Sequence, residues 1–263
     1  MADSPPSGIE AVRAGVLADL PHGFLTRRGG VSEGTVAGLN VGLGADDDGA
    51  AVIENRRRAV EAVMPGARLV TVYQVHSSDA VIVAEPWDEH DRPRADAIVT
   101  DRPGLLLGIV TADCAPVLLA DRQAGVIAAA HAGWKGAHGG VIEATVAAME
   151  SLGAARNRIA AAVGPCIAQE SYEVGADFRD NFTAGDAHFF APGKQGHFQF
   201  DLSGYVASRL KGAGVRSVEQ LFCDTYADAD RFFSYRRATH QGAANYGRQF
   251  SLIGLPQPTS GQS

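Results

Sequence analysis

Two histidines and one cysteine stand where short apolar runs of this sequence end. His76, Cys114 and His131 each follow a run rich in Val, Leu, Ile and Ala, so each places a reactive side chain at the end of a strand-like segment. Neutral imidazoles and a thiolate are borderline-soft ligands that suit zinc. We therefore predict that the three side chains converge on one zinc ion. Three protein ligands would leave a fourth position open for water, phosphate or another substrate, as in catalytic zinc sites.

A second interpretation of the same atoms requires no metal. Cys114 can be a nucleophile with His131 as its base, because a thiolate beside an imidazole can attack an acyl carbon directly. Asp113 adjoins Cys114 and can orient a histidine or move a proton, or it can simply bond to the backbone of its loop. The spacing matches none of the compact zinc signatures, and a cysteine in an apolar run is usually inert. The residues alone leave this choice open.

Cationic side chains near these positions in the sequence predict an anion site. Arg27 and Arg28 open a glycine-punctuated loop, and Lys135 lies in the turn that follows His131. Glycine-flanked backbone N–H groups can approach an oxyanion closely, and guanidinium groups bind phosphate in a bidentate manner. Together with Asn40, these residues are the predicted contacts to substrate and phosphate. The alternative is that each of them is an ordinary solvated side chain.

The composition favours small-molecule chemistry. The chain has 263 residues, 46% of them apolar, and 30 acidic against 23 basic side chains give a formal charge of −7. This balance opposes binding to nucleic acid or to anionic lipid. We find neither a secretion signal nor an apolar run of the roughly 18 residues that span a membrane. Because three scattered cysteines suit free thiols in a reducing compartment, we predict a cytoplasmic enzyme without nucleic-acid or membrane partners.

The apolar periodicity predicts alternating strands and helices. Strands are predicted at residues 23–26, 68–75, 80–84, 95–99, 105–111, 115–120, 126–131, 158–163, 217–222 and 249–255. Helices are predicted at residues 50–64, 141–152, 172–182 and 202–213. The run Arg56-Arg57-Arg58 is expected on the solvated face of the first helix. Several strands are apolar on both faces, which indicates that they are buried between layers.

The order of these elements predicts a mixed α/β or α+β fold. No Pro/Ser-rich linker and no fixed-period repeat divides the chain, so residues 1–263 are expected to form one domain. The ends, at about residues 1–8 and 256–263, are expected to be flexible. A sheet core covered by helices is the architecture that such a pattern favours.

Many segments of the chain, taken together, resemble one family of bacterial and animal proteins. This is the laccase-domain or polyphenol-oxidase family, whose members are also called peptidoglycan editing factors and zinc-dependent purine nucleoside phosphorylases. The resemblance covers about residues 22–253. It is carried by His22-Gly23-Phe24, Thr26-Arg27-Arg28-Gly29-Gly30-Val31-Ser32, Asn40-Val41-Gly42, Gln74-Val75-His76-Ser77, Ala95-Asp96-Ala97, Thr111-Ala112-Asp113-Cys114-Ala115-Pro116-Val117, Ala130-His131-Ala132-Gly133-Trp134-Lys135-Gly136, Gly164-Pro165-Cys166-Ile167, Ser171-Tyr172-Glu173-Val174-Gly175, Asp201-Leu202, Arg231-Phe232-Phe233-Ser234-Tyr235-Arg236-Arg237 and Gly247-Arg248-Gln249.

The resemblance implies a ligand set, a fold and a reaction. The family's zinc ligands are a His, a Cys and a His in the motifs Gln-Val-His, Ala-Asp-Cys and His-Ala-Gly-Trp, which fall on His76, Cys114 and His131. The implied fold is a single domain of α/β/β/α layers with mixed sheets. The implied activity is phosphorolysis of adenosine, inosine, guanosine and 5'-methylthioadenosine, with adenosine deamination as a further activity.

Two positions depart from the family pattern. Residues 238–246 are longer than the short turn expected between Tyr235-Arg236-Arg237 and Gly247-Arg248, which leaves the placement of Arg236 and Arg237 open. Ser171 stands where cysteine is common in the family.

Three competing functions use the same residues. The first is an amide hydrolase that edits a peptidoglycan precursor, with Cys114 and His131, or water activated by zinc, attacking the amide. The second is the copper polyphenol oxidase of the older family name, although such sites use several His-x-His pairs and this chain contains none. The third is a binding module with structural zinc, which the three-ligand set opposes because structural zinc is normally four-coordinate.

Overall fold

The computed structural model describes residues 8–257 as two large β-sheets and one small sheet with flanking helices. The helices are α1 (Gly49–Val63), α2 (Trp134–Gly139), α3 (Val141–Ser151), α4 (Ala176–Arg179), α5 (Leu202–Gly212) and α6 (Tyr235–His240). The strands are β1 (Ala11–Val12), β2 (His22–Leu25), β3 (Arg68–Thr71), β4 (Ala80–Ile82), β5 (Ala97–Thr100), β6 (Leu105–Thr111), β7 (Ala115–Asp121), β8 (Val126–Ala132), β9 (Ala160–Val163), β10 (Glu173–Gly175), β11 (Phe190–Pro192), β12 (His197–Phe200), β13 (Ser217–Gln220) and β14 (Gln249–Gly254). Short 3-10 helices lie at Gly15–Leu17, Gly34–Val36, Glu89–Asp91, Gln169–Ser171 and Ala184–Phe189. Residues 1–7 and 258–263, most of the ends expected to be flexible, lie outside the described residues.

The two large sheets are both mixed. One has five strands in the order β1-β2-β14-β6-β3, and the other has six in the order β13-β9-β7-β8-β5-β4. The pairs β3·β6, β4·β5 and β9·β13 are parallel, and the remaining neighbours in these sheets are antiparallel. The small sheet has the order β10-β12-β11 and is antiparallel.

Three apolar clusters join these elements into four layers. Ala59 and Val63 of α1 belong to a cluster with the outer face of the five-stranded sheet. The two large sheets meet face to face across a second cluster, which includes Leu107 of β6 and Ala129 of β8. The third cluster lies between the six-stranded sheet and the helices α3 and α5. The α/β/β/α arrangement and the mixed α/β class expected from the sequence are thus confirmed.

Side-chain alternation along the strands determines which layer each strand end faces. In β8, Ile127 and Ala129 pack between the two large sheets, and His131 continues their series at the strand end. In β6, Ile109 packs in the same layer, and Thr111 continues its series. His131 and Thr111 therefore both face the layer between the sheets, where it opens at the ends of the two strands.

The helix predicted at residues 172–182 is wrong. The segment forms β10 and then the single-turn helix α4. Its aromatic residues pack in a ring cluster with the small sheet: the centroid of Phe182 lies 5.4 Å from that of Phe178 and 5.1 Å from that of Phe200. The spacing of these aromatic residues resembles that of a helix, but their packing against the small sheet determines the local structure instead.

The solvated position predicted for Arg56 is also wrong. Its guanidinium donates to the carbonyl of Val41 (3.0 Å) and lies 4.9 Å from the ring centroid of Phe250. Arg57 and Arg58 do match the prediction of a polar helix face, since both pair with Glu54 at the surface. The aliphatic part of an arginine can cover apolar surface while its guanidinium bonds to carbonyl groups. Its charge alone therefore did not predict whether the Arg56 side chain is buried or solvated.

Two further expectations can be compared with the structure. Cys114, Cys166 and Cys223 are all free thiols, as their scattered spacing predicted. Within residues 8–257, no helix combines the length and the apolar character that crossing a membrane requires.

Candidate metal centre

His76, Cys114 and His131 come together at the open end of the layer between the large sheets. Their ligand atoms all lie within 4.8 Å of one another, and Cys114 Sγ is 3.8 Å from His76 Nε2. The two imidazole rings meet edge to face with centroids 4.7 Å apart. Among the described residues, this is the one group of three or more His, Cys, Asp or Glu side chains that could hold a metal ion.

Backbone turns of unusual geometry present two of these ligands. His76 has φ 60°, and Asp113, which precedes Cys114, has φ 86°. Residues other than glycine rarely occupy this left-handed region, and each instance costs on the order of 1 kcal/mol. His131 differs, because it lies in the regular strand β8 and is 3% exposed. Two strained turns therefore place the side chains of His76 and Cys114 next to His131, which a regular strand holds in place.

Asp96, a buried residue that the sequence analysis left without a role, organises the cluster. The Nδ1–H of His131 donates to Asp96 Oδ1 (2.8 Å), which leaves Nε2 of that ring free for the cluster. The backbone N–H groups of Val75, His76 and Ser77 donate to the same carboxylate at 3.1, 3.0 and 2.6 Å. One side chain thus fixes the ring of His131 and the strained turn that carries His76.

The electrostatics of the cluster favour ionised Asp96 and Cys114. Burial opposes ionisation of Asp96, but the hydrogen bond and charge of His131 and the backbone N–H groups lower its pKa to about 2. Burial also opposes ionisation of Cys114, yet the charge and hydrogen bond of His131, with those of His76, lower its pKa to about 6. By contrast, burial raises the pKa of Cys166 and of Cys223. Since the thiolate is the form that binds metal, Cys114 is the cysteine suited to be a ligand.

The surroundings of the cluster fit a metal ion. A His₂Cys donor set with a carboxylate behind one imidazole is a recurrent zinc arrangement, and three protein ligands leave one position open. Gly133 keeps the space beside the donors clear, because a Cβ there would lie 2.9 Å from Cys114 Sγ and 3.2 Å from His76 Cδ2.

Gly133→Ala is expected to weaken zinc binding by about tenfold or more while the protein stays folded. The added methyl must displace the thiolate or the imidazole, and either shift spoils the ligand geometry. Zinc affinity measured by competition with a chelator provides the check. Gly139→Ala in α2 is the matched control, because its Cβ would approach nothing closer than Ser78 Cβ at 3.8 Å. Equal zinc affinity in the two variants would contradict the expectation.

A large cavity opens on one side of the cluster. Its volume is about 750 Å³, and its walls include Trp134, Tyr172 and Phe178. The rings of Trp134 and Phe178 lie 4.6 Å apart at their centroids. Charged groups also line it, among them Lys135, Arg236, Asp113, Glu173 and Asp177. Aromatic walls with a few polar groups of both signs are typical of a small-molecule site.

A second, smaller cavity also adjoins the cluster. Its volume is about 250 Å³, and it shares His76, Ala112 and Cys114 with the larger one. Its lining also includes His131 and two arginines, Arg92 and Arg248. His76 and Cys114 therefore line two adjoining cavities of different size and charge.

Asp113 lies beside the cluster and lines the larger cavity, but its carboxylate bonds to residues other than the histidines. It accepts from Thr225 Oγ1 (2.7 Å), from Ser234 Oγ (2.9 Å) and from the backbone N–H of Arg236 (2.6 Å). Asp113 thus ties the turn of Cys114 to the start of α6.

Arg27 and Arg28, two predicted phosphate contacts, line neither of these cavities. Arg27 donates to the carbonyl of Ala37 (2.8 Å), and its guanidinium lies 4.5 Å from the ring centroid of Phe233. Arg28 forms an exposed ion pair with Glu10 (3.0 Å). The structure does not bring these two side chains to the cluster.

The other two predicted contacts lie in different surroundings. Asn40 is fully buried: its Oδ1 accepts from the backbone N–H groups of Gly42 (3.1 Å) and Arg248 (2.9 Å), and its Nδ2 donates to Asp47 (2.7 Å). Asn40 therefore holds the backbone of a cavity residue in place. Lys135 is exposed and lines the larger cavity beside the cluster.

The long segment at residues 238–246 forms the end of α6 and the loop after it. Arg236 and Arg237 therefore lie in the first turn of this helix. Arg236 lines the larger cavity, donates to the carbonyl of Glu173 (2.8 Å) and lies 5.2 Å from the ring centroid of Tyr172. Arg237 donates to the backbone carbonyl of Thr225 (2.7 Å). Arg236 is thus a cavity residue, whereas Arg237 supports the fold.

Comparison with known proteins gives a consistent picture. A family model described as multi-copper polyphenol oxidoreductase laccase matches residues 21–256. A Deinococcus radiodurans protein named purine nucleoside phosphorylase is 44% identical over 254 residues, or 95% of this chain and 94% of its own. A Streptomyces coelicolor protein with the same description is 42% identical over 216 residues, or 82% of this chain and 89% of its own.

Solved structures extend the likeness to the fold. The crystal structure of YlmD from Geobacillus stearothermophilus has a TM-score of 0.87 at 29% identity and covers 97% of this chain and 98% of that chain. A Neisseria meningitidis protein has a TM-score of 0.84 at 36% identity and covers 95% of this chain and 99% of that chain. With its fold, its candidate metal centre and a matching family model over residues 21–256, this chain belongs to the family described as multi-copper polyphenol oxidoreductase laccase.

Proposed function

We propose that this protein is a zinc-dependent purine nucleoside phosphorylase that acts on adenosine, inosine, guanosine and 5'-methylthioadenosine. The observation that carries the proposal is the position of the His76-Cys114-His131 cluster where an aromatic cavity adjoins a cavity with two arginines. Two substrates of different chemistry, a nucleoside and phosphate, fit two such cavities beside one reaction centre. The phosphorylase names of the Deinococcus and Streptomyces relatives support the same activity.

The larger cavity suits a purine nucleoside. Its volume of about 750 Å³ falls in the range of ligand pockets for molecules of this size. Trp134, Tyr172 and Phe178 can pack against a purine ring, since flat aromatic systems stack favourably. The carboxylates of Glu173 and Asp177 can accept hydrogen bonds from ribose hydroxyls or from the base.

Phosphorolysis exchanges one bond at the ribose carbon for another. The bond from C1' to the purine nitrogen breaks, its electron pair leaves with the base, and a phosphate oxygen forms a new bond to C1'. The proton of hydrogen phosphate ends on the released purine. Lys135 and Arg236 line the nucleoside cavity, where their charges stabilise the negative charge that develops on the departing base. Holding both substrates beside one cluster removes much of the entropic barrier to their encounter.

Zinc is the metal that the donor set favours. His76, Cys114 and His131 would hold it, and when bound it supplies a fixed positive charge that can polarise an oxygen of a substrate. The described residues contain one three-ligand group, which gives no support for the several copper ions in the family's description. A thiolate ligand requires reduced Cys114, and the cytoplasm keeps thiols reduced, which supports that location for the enzyme.

We infer that adenosine deamination is a further activity of the same site. In that reaction water adds at C6 of the purine and ammonia leaves, so the reacting carbon lies on the base rather than on the sugar. The two activities need the same nucleoside cavity but differ in their second reactant. They are therefore separable by supplying or omitting phosphate.

The decisive test is to incubate zinc-loaded protein with adenosine or inosine, with and without phosphate, and to identify the products by chromatography and mass spectrometry. We expect free purine and ribose 1-phosphate from both nucleosides, only when phosphate is present. Inosine formed from adenosine without phosphate would establish deamination. No product from either nucleoside would contradict the proposal, and release of serine from a UDP-muramyl-serine substrate would then favour the editing amidase.

A further inference from the structure

The smaller cavity has the features of an anion site. We propose that it binds inorganic phosphate through Arg248 and Thr111, beside the metal ligands and next to the cavity for the nucleoside. The identity of the anion as the second substrate rests on the proposed phosphorylase function, whereas the binding of phosphate itself does not.

Charge distinguishes the two cavities. Arg92 and Arg248 line the smaller one, and its lining residues include no aspartate or glutamate. The larger cavity has three carboxylates, those of Asp113, Glu173 and Asp177, which outnumber its two cationic side chains, Lys135 and Arg236. Like charges in a site of restricted solvent access repel strongly, so a phosphate dianion is favoured in the smaller cavity and disfavoured in the larger one.

Two polar atoms that belong to residues lining the smaller cavity have no hydrogen-bond partner within the described residues. They are Thr111 Oγ1 and Arg248 Nη1, and both atoms are buried. Thr111 is 2% exposed, so bulk water does not satisfy its hydroxyl freely. Buried polar groups are normally paired, and unpaired ones are few in a native protein. Two of them on residues that line one cavity indicate a ligand that accepts from a hydroxyl and from a guanidinium, as phosphate oxygens do.

The guanidinium of Arg248 is held in place while its buried Nη1 has no hydrogen-bond partner among the described residues. Its Nη2 donates to the hydroxyl of Tyr246 (2.9 Å), and its Cζ lies 4.5 Å from the centroid of the same ring. Its backbone N–H is fixed by Asn40. Gly42 allows the close approach, because a Cβ there would lie 3.0 Å from Nη1. A donor that is fixed before the ligand arrives loses little entropy on binding.

The size of the cavity matches a small anion. Its volume of about 250 Å³ lies below the usual range of pockets for drug-sized ligands, whereas the larger cavity lies within it. Because His76, Ala112 and Cys114 line both cavities, an anion in the smaller one lies next to a nucleoside in the larger one. This arrangement places the two substrates in adjoining cavities, where they can meet beside the metal ligands.

The test uses Arg248→Met and Thr111→Val, which remove the two unpaired donors with little change in volume. Binding of inorganic phosphate to zinc-loaded protein is measured by titration calorimetry without nucleoside. The KM values for phosphate and for inosine are then measured separately. Arg156→Met is the matched control, because Arg156 forms an exposed ion pair with Glu150 and lines neither cavity.

We expect Arg248→Met to raise the phosphate Kd and KM by about 10-fold to 100-fold, and Thr111→Val by about 3-fold to 10-fold. The KM for inosine should stay within about twofold, and Arg156→Met should match the wild type. Thr111→Val should unfold at the same temperature as the wild type or higher, since it removes a buried unpaired hydroxyl. A purely structural role for Thr111 would leave phosphate affinity unchanged.

The outcomes for the site and for the enzyme function are separable. Wild-type phosphorolysis with unchanged phosphate Kd and KM in both variants would overturn the phosphate site and leave the phosphorylase proposal intact. Phosphate binding that depends on Arg248 and Thr111, without any phosphorolysis, would confirm the site and overturn the phosphorylase. Failure of the wild-type protein to bind phosphate at all would also overturn the site.

Discussion

Cys114→Ala is expected to remove zinc and phosphorolytic activity together, with kcat/KM falling by at least about 10³-fold. Cys114 is the one thiol whose pKa is lowered, to about 6, while burial raises the pKa of Cys166. Loss of the thiolate leaves two imidazoles, which are too few ligands for a stable zinc site. Metal content by mass spectrometry and activity on inosine are measured on the same preparation.

Cys223→Ala is the matched control for this change. Cys223 is half-buried, and its thiol bonds to the carbonyl of Leu221, outside the metal cluster. We expect this variant to keep zinc and full activity, so any loss in Cys114→Ala cannot be assigned to the removal of a thiol in general. A zinc-loaded and fully active Cys114→Ala protein would refute the assignment of Cys114 as a ligand.

The ends of the buried strands were predictable because they combine two strong local signals. The strand over residues 105–111 has the same bounds in the sequence prediction and in the structure, since it is apolar on both faces and ends at polar residues. The strand that ends with His131 is longer than predicted by one residue, Ala132. Such ends pointed to Cys114 and His131 of the candidate metal cluster, whereas β3 ends at Thr71 instead of at the predicted residue 75, so His76 lies in the loop after that strand.

The groups that support the cluster were not predictable in the same way. Asp96 lies just before β5, and its partners at residues 75–77 and at His131 are distant in sequence. Nothing in its local pattern separates it from an ordinary loop aspartate, although its segment did contribute to the family resemblance. Its role depends on the pairing of β5 with β8, which brings distant residues into contact.

The arginines that line the cavities were likewise not predictable from the sequence alone. Arg27 and Arg28 were chosen because they flank a glycine-rich loop, yet both find partners in the surrounding fold. Arg248 reaches the smaller cavity because β14 pairs with β6, so that the residue before β14 lies near Thr111 at the end of β6. Proximity along the chain was a poor guide, since the cavity is built from strand ends that the sheet order brings together.

Asp96→Asn is expected to weaken zinc binding by about 10-fold to 100-fold and to lower the free energy of unfolding by about 2–3 kcal/mol. One oxygen becomes an NH₂ group, which faces either the Nδ1–H of His131 or the N–H groups of Val75 and Ser77. Either orientation opposes donor to donor, so the ring or the strained turn at His76 must shift. The zinc dissociation constant and urea unfolding of the metal-free protein are the two measurements.

Asp121→Asn is the matched control, because it tests whether loss of a buried carboxylate weakens zinc binding only through loss of stability. Asp121 is also a buried carboxylate, which accepts from the N–H groups of Gln123 (3.1 Å) and Ala155 (2.8 Å) and pairs with Arg158 far from the cluster. We expect it to lose a similar amount of stability and to keep the wild-type affinity for zinc. If both variants kept that affinity, Asp96 would be a structural residue only. If Asp96→Asn alone lost it, the carboxylate would be positioning both histidines, which follows from its bonds to the ring of one and the backbone of the other.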